Sequence, residues 1–314
     1  ETQHLKKEIH LISPRGFCAG VTRAIDVVNI ALEKYGSPVY VKHEIVHNKS
    51  VIEELKLKGA VFIEDIKDVP QGAPLIFSAH GVSKLVVNEA NEKKAITIDA
   101  TCPLVTKVHV QAKKFSAQGY HIFLIGHRNH PEVEGTLGQI DSSEITLIEN
   151  TNDVSLLKTN FEKVAFVTQT TLSVDDTKEI INQLKIKFPK IVSSAKEDIC
   201  YATTNRQNAI KKYAIGCDKF IVVGSRNSSN SSRLVDVAIN AGCSDAVLLD
   251  SKDELDLDLY ENAKVIGISS GASVPEDLVL DIVEKFKSKY DVEIKNFELQ
   301  KETVSFNLPK NIRR

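Results

Sequence analysis

PRGFCAGVTRAIDVV (residues 14–28) sets Cys18 among small residues, directly after an apolar run and directly before a segment with helical periodicity. Val21, Ile25, Val28, Leu32 and Tyr35 fall at steps of three and four, the spacing of one helix face. Two other cysteines open the same kind of segment. PLVTKVHVQAKKFSAQG follows Cys102, with Leu104, Val105, Val108, Ala112 and Phe115 in register, and YATTNRQNAIKKYAIG follows Cys200. Each segment runs to a glycine (Gly36, Gly119, Gly216), expected as the left-handed residue beyond a helix end. A strand-like run comes next in every case: PVYVKHEIVH, YHIFLIGHRNH and FIVVGSRNSSN.

The repeat extends to polar residues. His47 lies 29 residues after Cys18, His130 lies 28 after Cys102, and Ser228 lies 28 after Cys200. Each unit then passes through another helix to a last apolar strand, LIFSAHG, VAFVTQTTLS or VIGISSGAS. Those strands bring His80, Thr170 and Ser273 to 62, 68 and 73 residues past their cysteines. The cysteine intervals of 84 and 98 therefore read as repeat lengths. Helix alternating with strand predicts an α/β fold: three pseudo-repeated domains, each with a small, mostly parallel sheet. The expected boundaries are 19–101, 102–198, and 1–18 plus 199–288, with 289–314 as a C-terminal tail of strand-like alternation and basic finish. Ligands of open α/β sheets sit beyond the carboxyl ends of the strands, where all these polar residues fall.

Composition removes other classes. The 314 residues are 42% hydrophobic and 26% charged with a formal net charge of -2, acids and bases interleaved. That gives a substantial core, no footprint for nucleic acid, and no span for a membrane. The chain begins at Glu1 without Met, so we expect a trimmed product whose targeting segment is unreadable. Five cysteines without a CxxC pair argue against a secreted disulfide framework and for a reducing compartment. Cys217 and Cys243 break the repeat and begin apolar strands, as packing residues do.

Three equivalent cysteines at helix starts point to a metal. The helix dipole favours the thiolate there, and soft donors select zinc, copper(I) or an iron–sulfur cluster. Three ligands leave one metal position open, which implies chemistry. GSRNSSNSSRLVDVAINAG opens a helix with hydroxyl and amide side chains, and Ser228, Ser229 and Asn230 make an anion site suited to phosphate. The histidines add charge or hydrogen bonds to phosphate oxygens. In GHRNHPEVEG, Glu132 is the proton-donor candidate because it shares a face with His130 on an extended segment; Glu134 is its competitor. Thr170 offers a hydroxyl to position water or relay protons, although Ser173, Asp175 and Asp176 beside it read as an ordinary helix start. GxGxxG and GxxxxGK[ST] motifs are absent, so electrons are expected from a partner protein.

PRGFCAGVTRAID, YVKHEIVHN, LIFSAHGVS, DATCPLVTKVH, GHRNHPEVEGT, TQTTLSVDDT, DICYATTNRQ, SRNSSNSSRL and GASVPE together closely resemble the 4-hydroxy-3-methylbut-2-enyl diphosphate reductase family of the non-mevalonate isoprenoid pathway. The resemblance implies a trefoil around a [4Fe-4S] cluster with Cys18, Cys102 and Cys200 as ligands. It implies an open iron that binds the substrate hydroxyl. The reaction it implies is a two-electron reductive dehydroxylation giving isopentenyl and dimethylallyl diphosphates, fed by a ferredoxin or flavodoxin-type donor. Matching substrate positions are His47, His80, His130, Thr170, Ser228, Ser229, Asn230 and Ser273. Of these, His47, His80, Ser228, Asn230 and Ser273 would hold the diphosphate. Glu132 matches the proton donor, with Thr170 and His130 completing its hydrogen-bond chain and His43 and Gln169 in support. The compartment would be bacterial cytoplasm, or a plastid-type organelle in a eukaryote. A zinc-dependent phosphohydrolase, with Glu132 activating a metal-bound water, and a non-catalytic redox sensor are the rival readings.

Overall fold

The computed structural model describes residues 6–313. β1 (Lys6–Ser13) leads into α1 (Ala19–Tyr35), β2 (Val39–Lys42), α2 (Lys49–Leu57), β3 (Ala60–Ile63), β4 (Pro74–Phe77), α3 (Lys84–Glu92) and β5 (Ile96–Asp99). Next come α4 (Pro103–Ala117), β6 (His121–Ile125), α5 (Pro131–Leu137), β7 (Ile145–Ile148), α6 (Thr151–Ser155), β8 (Val164–Thr168), α7 (Val174–Lys187) and β9 (Val192–Ser193). The chain closes with α8 (Tyr201–Tyr213), β10 (Lys219–Val223), α9 (Ser229–Asn240), β11 (Ala246–Leu249), β12 (Val265–Ser270), α10 (Glu276–Lys287) and β13 (Asp291–Glu298).

The strands form three sheets, ordered β3-β2-β4-β5, β7-β6-β8-β9 and β11-β10-β12-β1-β13, and every pairing among the described residues is parallel. Apart from β13, the three orders are the same pattern. The central strands are continuous apolar runs apart from one terminal residue (His121, Thr168 or Lys219) because helices cover both faces: β8 is buried at all five positions, and β6 and β10 at four of five. This is the α/β class of small parallel sheets that the alternation predicts.

By compactness the chain divides into two units. One, of residues 6–18, 47–49 and 201–304, holds the five-stranded sheet. Its core lies on both faces, with Ile9, Ile221, Ile268 and Phe286 on one and Ile12, Phe220, Leu234 and Ala209 on the other. The other, of residues 19–46, 50–200 and 305–313, holds the two four-stranded sheets. Phe123, Phe166 and Phe188 fill one of its core clusters, and Leu75, Phe77 and Ile66 another.

Three details differ from the sequence reading. α1 buries Ala24, Val27, Val28 and Ala31 while Ile25 and Leu32 stay half-buried, so its stripe is turned toward small residues that allow close packing. Gly36 and Gly119 have φ of 72° and 83°, but α8 ends at Tyr213 in a 3-10 turn, so Gly216 does not act as a left-handed cap. The alternating run after residue 289 is β13, an edge strand beside β1 with mostly exposed side chains. The basic finish is anchored too: Lys34 donates to the Asn311 carbonyl at 3.0 Å, and Ile312 is buried. No helix of the described residues is long and apolar enough to cross a membrane.

Candidate active site

The three cysteines occupy one structural position. Each follows the strand that ends a sheet's common pattern (β1, β5 or β9) and precedes a helix (α1, α4 or α8). In each, the cysteine N–H donates to a carbonyl in the loop beyond the neighbouring strand. Cys18 donates to Ala272 at 3.1 Å, Cys102 to Ala79 at 3.0 Å, and Cys200 to Thr170 at 3.0 Å. Those accepting loops also carry Ser273, His80 and Thr170. The sulfurs are half-buried, and none of the five cysteines is in a disulfide. Cys217 and Cys243 differ: both are buried, and burial first of all pushes the Cys217 thiol up to about 12 and raises Cys243. A metal needs thiolates, so those two are poor ligands while the three junction sulfurs suit a soft metal.

In the unit with two sheets, the loops after β2, β4, β6 and β8 bring His43, His80, His130, Glu132 and Thr170 together. The His43 and His80 rings stand edge-on with centroids 5.6 Å apart, and His80 and His130 with centroids 6.1 Å apart. His43 holds a left-handed φ of 63°, and its Nδ1 lies 2.8 Å from a Glu64 oxygen. Ser78 Oγ meets His80 Nδ1 at 3.2 Å. The loop of His80 lies against α5, where a Cβ on Gly135 would come within 3.1 Å of the Gly81 backbone, a tight contact that glycine avoids.

Glu132 is nearly sealed from solvent at 3% exposure, whereas Glu134 is exposed. Its carboxylate accepts from the Thr170 N–H at 2.7 Å and from Thr170 Oγ1 at 3.0 Å. Its own N–H donates to His130 Nδ1 at 3.1 Å, capping α5 and leaving the proton of the neutral His130 ring on Nε2. Burial raises the Glu132 pKa to about 7, against the lowering effect of the two Thr170 bonds and with help from the Asp198 charge. A carboxyl of that pKa both holds and releases a proton near neutrality. Gln169 stands beside it as a brace: Oε1 accepts from the His127 N–H at 3.0 Å and Nε2 meets Thr171 Oγ1 at 3.1 Å. A cavity of about 600 Å³ opens next to the histidines, lined by His43, Ser78, Gly81, Asn129, Pro131 and Glu134.

The other unit gathers neutral donors. Ser228 caps α9 by accepting from the Ser231 N–H, and Ser229 begins the helix. Buried Asn230 accepts from the Ala272 N–H at 2.9 Å and reaches Thr203 Oγ1 at 3.4 Å. Ser273 Oγ donates to the His47 carbonyl at 2.9 Å, fixing that loop to the one beyond β12. Small residues open this 12-residue helix, and a helix N-terminus of this kind carries amides suited to an anion.

Sequence reasoning missed Asp198 and His109. Asp198 accepts from the Thr168 N–H at 3.1 Å, and burial raises its pKa to about 6; its place two residues before Cys200 is the one signal the sequence offers. His109 is buried on α4, and a Cβ on Gly81 would come within 2.8 Å of its ring. Its helical step from Val105 and Ala112 was the only signal.

Small parallel sheets that present thiols, histidines and a buried acid on the loops past their strand ends define an α/β protein with an enzyme-like site. The model of the family described as LytB protein matches residues 9–287, and the chain belongs to that family. A Ruegeria pomeroyi protein called 4-hydroxy-3-methylbut-2-enyl diphosphate reductase is 49% identical over 306 residues, 97% of each chain. One of the same name from Saccharophagus degradans is 50% identical over 310 residues, 98% of this chain and 99% of its own. A solved structure of the E-1-hydroxy-2-methyl-but-2-enyl-4-diphosphate reductase from Plasmodium falciparum superposes with a TM-score of 0.94 at 44% identity, covering 98% of this chain and 97% of that one.

Proposed function

We propose that this chain is a 4-hydroxy-3-methylbut-2-enyl diphosphate reductase, an oxidoreductase of the non-mevalonate isoprenoid pathway. It removes the allylic hydroxyl of its substrate: a C–O bond breaks, a C–H bond forms, two electrons and two protons enter, and water leaves. The products are isopentenyl and dimethylallyl diphosphates. The supporting observation is the junction repeated three times, a cysteine before a helix with its N–H held by the loop that bears a polar candidate.

In this reading Cys18, Cys102 and Cys200 hold a [4Fe-4S] cluster, and the three domains 19–101, 102–198 and 1–18 plus 199–288 surround it. The donor set fits, since three half-buried sulfurs at helix starts are matched to iron while Cys217 is held as a thiol. When bound, the cluster supplies single electrons and Lewis acidity at the hydroxyl oxygen. The chain's own residues do the rest. Ser228, Ser229, Asn230 and Ser273, with His47 and His80, bind and orient the diphosphate. The acid is Glu132: its carboxyl, near neutrality in pKa, gives a proton toward the departing oxygen. Thr170 holds that carboxyl in place with two hydrogen bonds, and His130, whose Nδ1 accepts from the Glu132 N–H, keeps Nε2–H as a further donor. Glu132 is regenerated by protons from solvent, and a ferredoxin or flavodoxin-type protein supplies the electrons. Such chemistry belongs in a reducing compartment, bacterial cytoplasm or a plastid-type organelle.

The test is anaerobic turnover of the allylic diphosphate with a chemical one-electron reductant. Formation of the two C5 diphosphates supports the reading; release of inorganic phosphate without them overturns it and favours a hydrolase.

A further inference from the structure

The helices behind two of the junctions carry a second matched feature. Arg23 and Arg206 stand 5 and 6 residues after Cys18 and Cys200. Each holds the segment that enters another cysteine. On α1, Arg23 Nη1 donates to the carbonyl of Thr101, the residue before Cys102, at 3.0 Å. On α8, Arg206 is fully buried, and its Nε and Nη2 both donate to the carbonyl of Gly16, two residues before Cys18, at 3.2 and 2.6 Å.

We propose that Arg23 and Arg206 are positioning residues that fix the loops entering Cys102 and Cys18 so that these sulfurs are pre-set for the metal. The inference rests on the cysteines being cluster ligands. The loops need such a hold. Gly16 sits at a φ of 73°, where a Cβ would press to 3.3 Å on the Val274 carbonyl, so local preference alone does not fix this loop. A carbonyl beside a junction has no helix partner, and a guanidinium satisfies it while adding positive charge near an anionic centre. Both clasps are closed by the C-terminal segment as well. Arg206 Nη1 pairs with Glu302 at 2.9 Å, and Arg23 Nε donates to the Asn307 carbonyl at 2.7 Å.

The full chain, with and without iron, is compared by hydrogen exchange as wild type, Arg23→Gln and Arg206→Lys. Each variant is expected to speed exchange by about tenfold in one segment only. That segment is 98–102 for Arg23→Gln and 14–18 for Arg206→Lys. Iron loss to a chelator should accelerate several-fold in the same variants, and Arg23→Lys should recover part of the protection. Uniform loosening, or loosening of the segment before the helix's own cysteine, overturns the proposal. If Arg206→Lys fails to fold, the half-exposed Arg23 still decides it. A wild-type chain that binds no iron and sulfide sinks the cluster reading, while the exchange pattern still reports on the clasps.

Discussion

The two compact units handle polarity in opposite ways. The unit with two sheets concentrates titratable groups: three histidines in an edge-on row and a carboxyl held near neutrality by burial. The single-sheet unit offers mostly groups that do not titrate, with serines and an asparagine at the start of α9 and Ser273 beyond β12. In the proposed function the titratable set would move protons and the neutral set would hold a permanent anion. Neutral donors suit the anion because their strength does not vary with pH, whereas a proton donor works best where its pKa meets the working pH.

The largest expected effect breaks the first half of the comparison. Glu132→Gln keeps both Thr170 partners but carries no acid, so kcat for the allylic diphosphate should fall about 10²- to 10⁴-fold with the metal content unchanged. Normal turnover would remove Glu132 from its role. The same variant sharpens the comparison through stability. The folded Glu132 pKa lies above its ordinary value, so the folded chain binds more protons than the unfolded one between pH 4.5 and about 7. Stability from this group is therefore complete below that window and is lost as pH rises through it. Glutamine has no ionisation to penalise, so Glu132→Gln should gain on wild type by on the order of 3 kcal/mol between pH 4.5 and 8.5, read from urea midpoints. A constant difference across that range would mean the carboxyl is not desolvated.

Smaller effects belong to the neutral unit. Asn230→Ala strands the buried Ala272 N–H and should destabilise the chain by about 1–3 kcal/mol while raising KM more than it lowers kcat. An unchanged KM would place the anion elsewhere. Ser228→Ala removes a helix cap and should cost about 1 kcal/mol, visible as a lower melting temperature at any pH. A marked pH dependence in that loss would blur the division between the units.

Much of this was legible because the fold repeats. The periodic stripe after Cys18, Cys102 and Cys200, the glycine stops and the apolar strands predict the parallel sheets, and the matched offsets pick out the polar loops. Illegible features depend on long-range placement. In the sequence, Glu132 is preferred over Glu134 by the alternation of an extended segment, but both residues lie in the first turn of α5, whose rotation buries Glu132 and turns Glu134 to solvent. The β13 edge strand pairs with β1 across nearly the whole chain, a partner that no local signal names. His109 is buried because Gly81 leaves room for its ring, a long-range fit that the helix sequence does not carry. Its pKa is pushed down to about 4 by burial first and Lys113 second.

The central claim is that three sulfurs, and not the other two, hold an iron–sulfur centre. Iron and acid-labile sulfide per chain, measured anaerobically on wild type and on each cysteine-to-serine variant, tests it directly. The account predicts about four of each per chain in wild type, Cys217→Ser and Cys243→Ser, and a collapse of both in Cys18→Ser, Cys102→Ser and Cys200→Ser. Stoichiometric zinc without sulfide in wild type, or equal loss in Cys217→Ser, would contradict it.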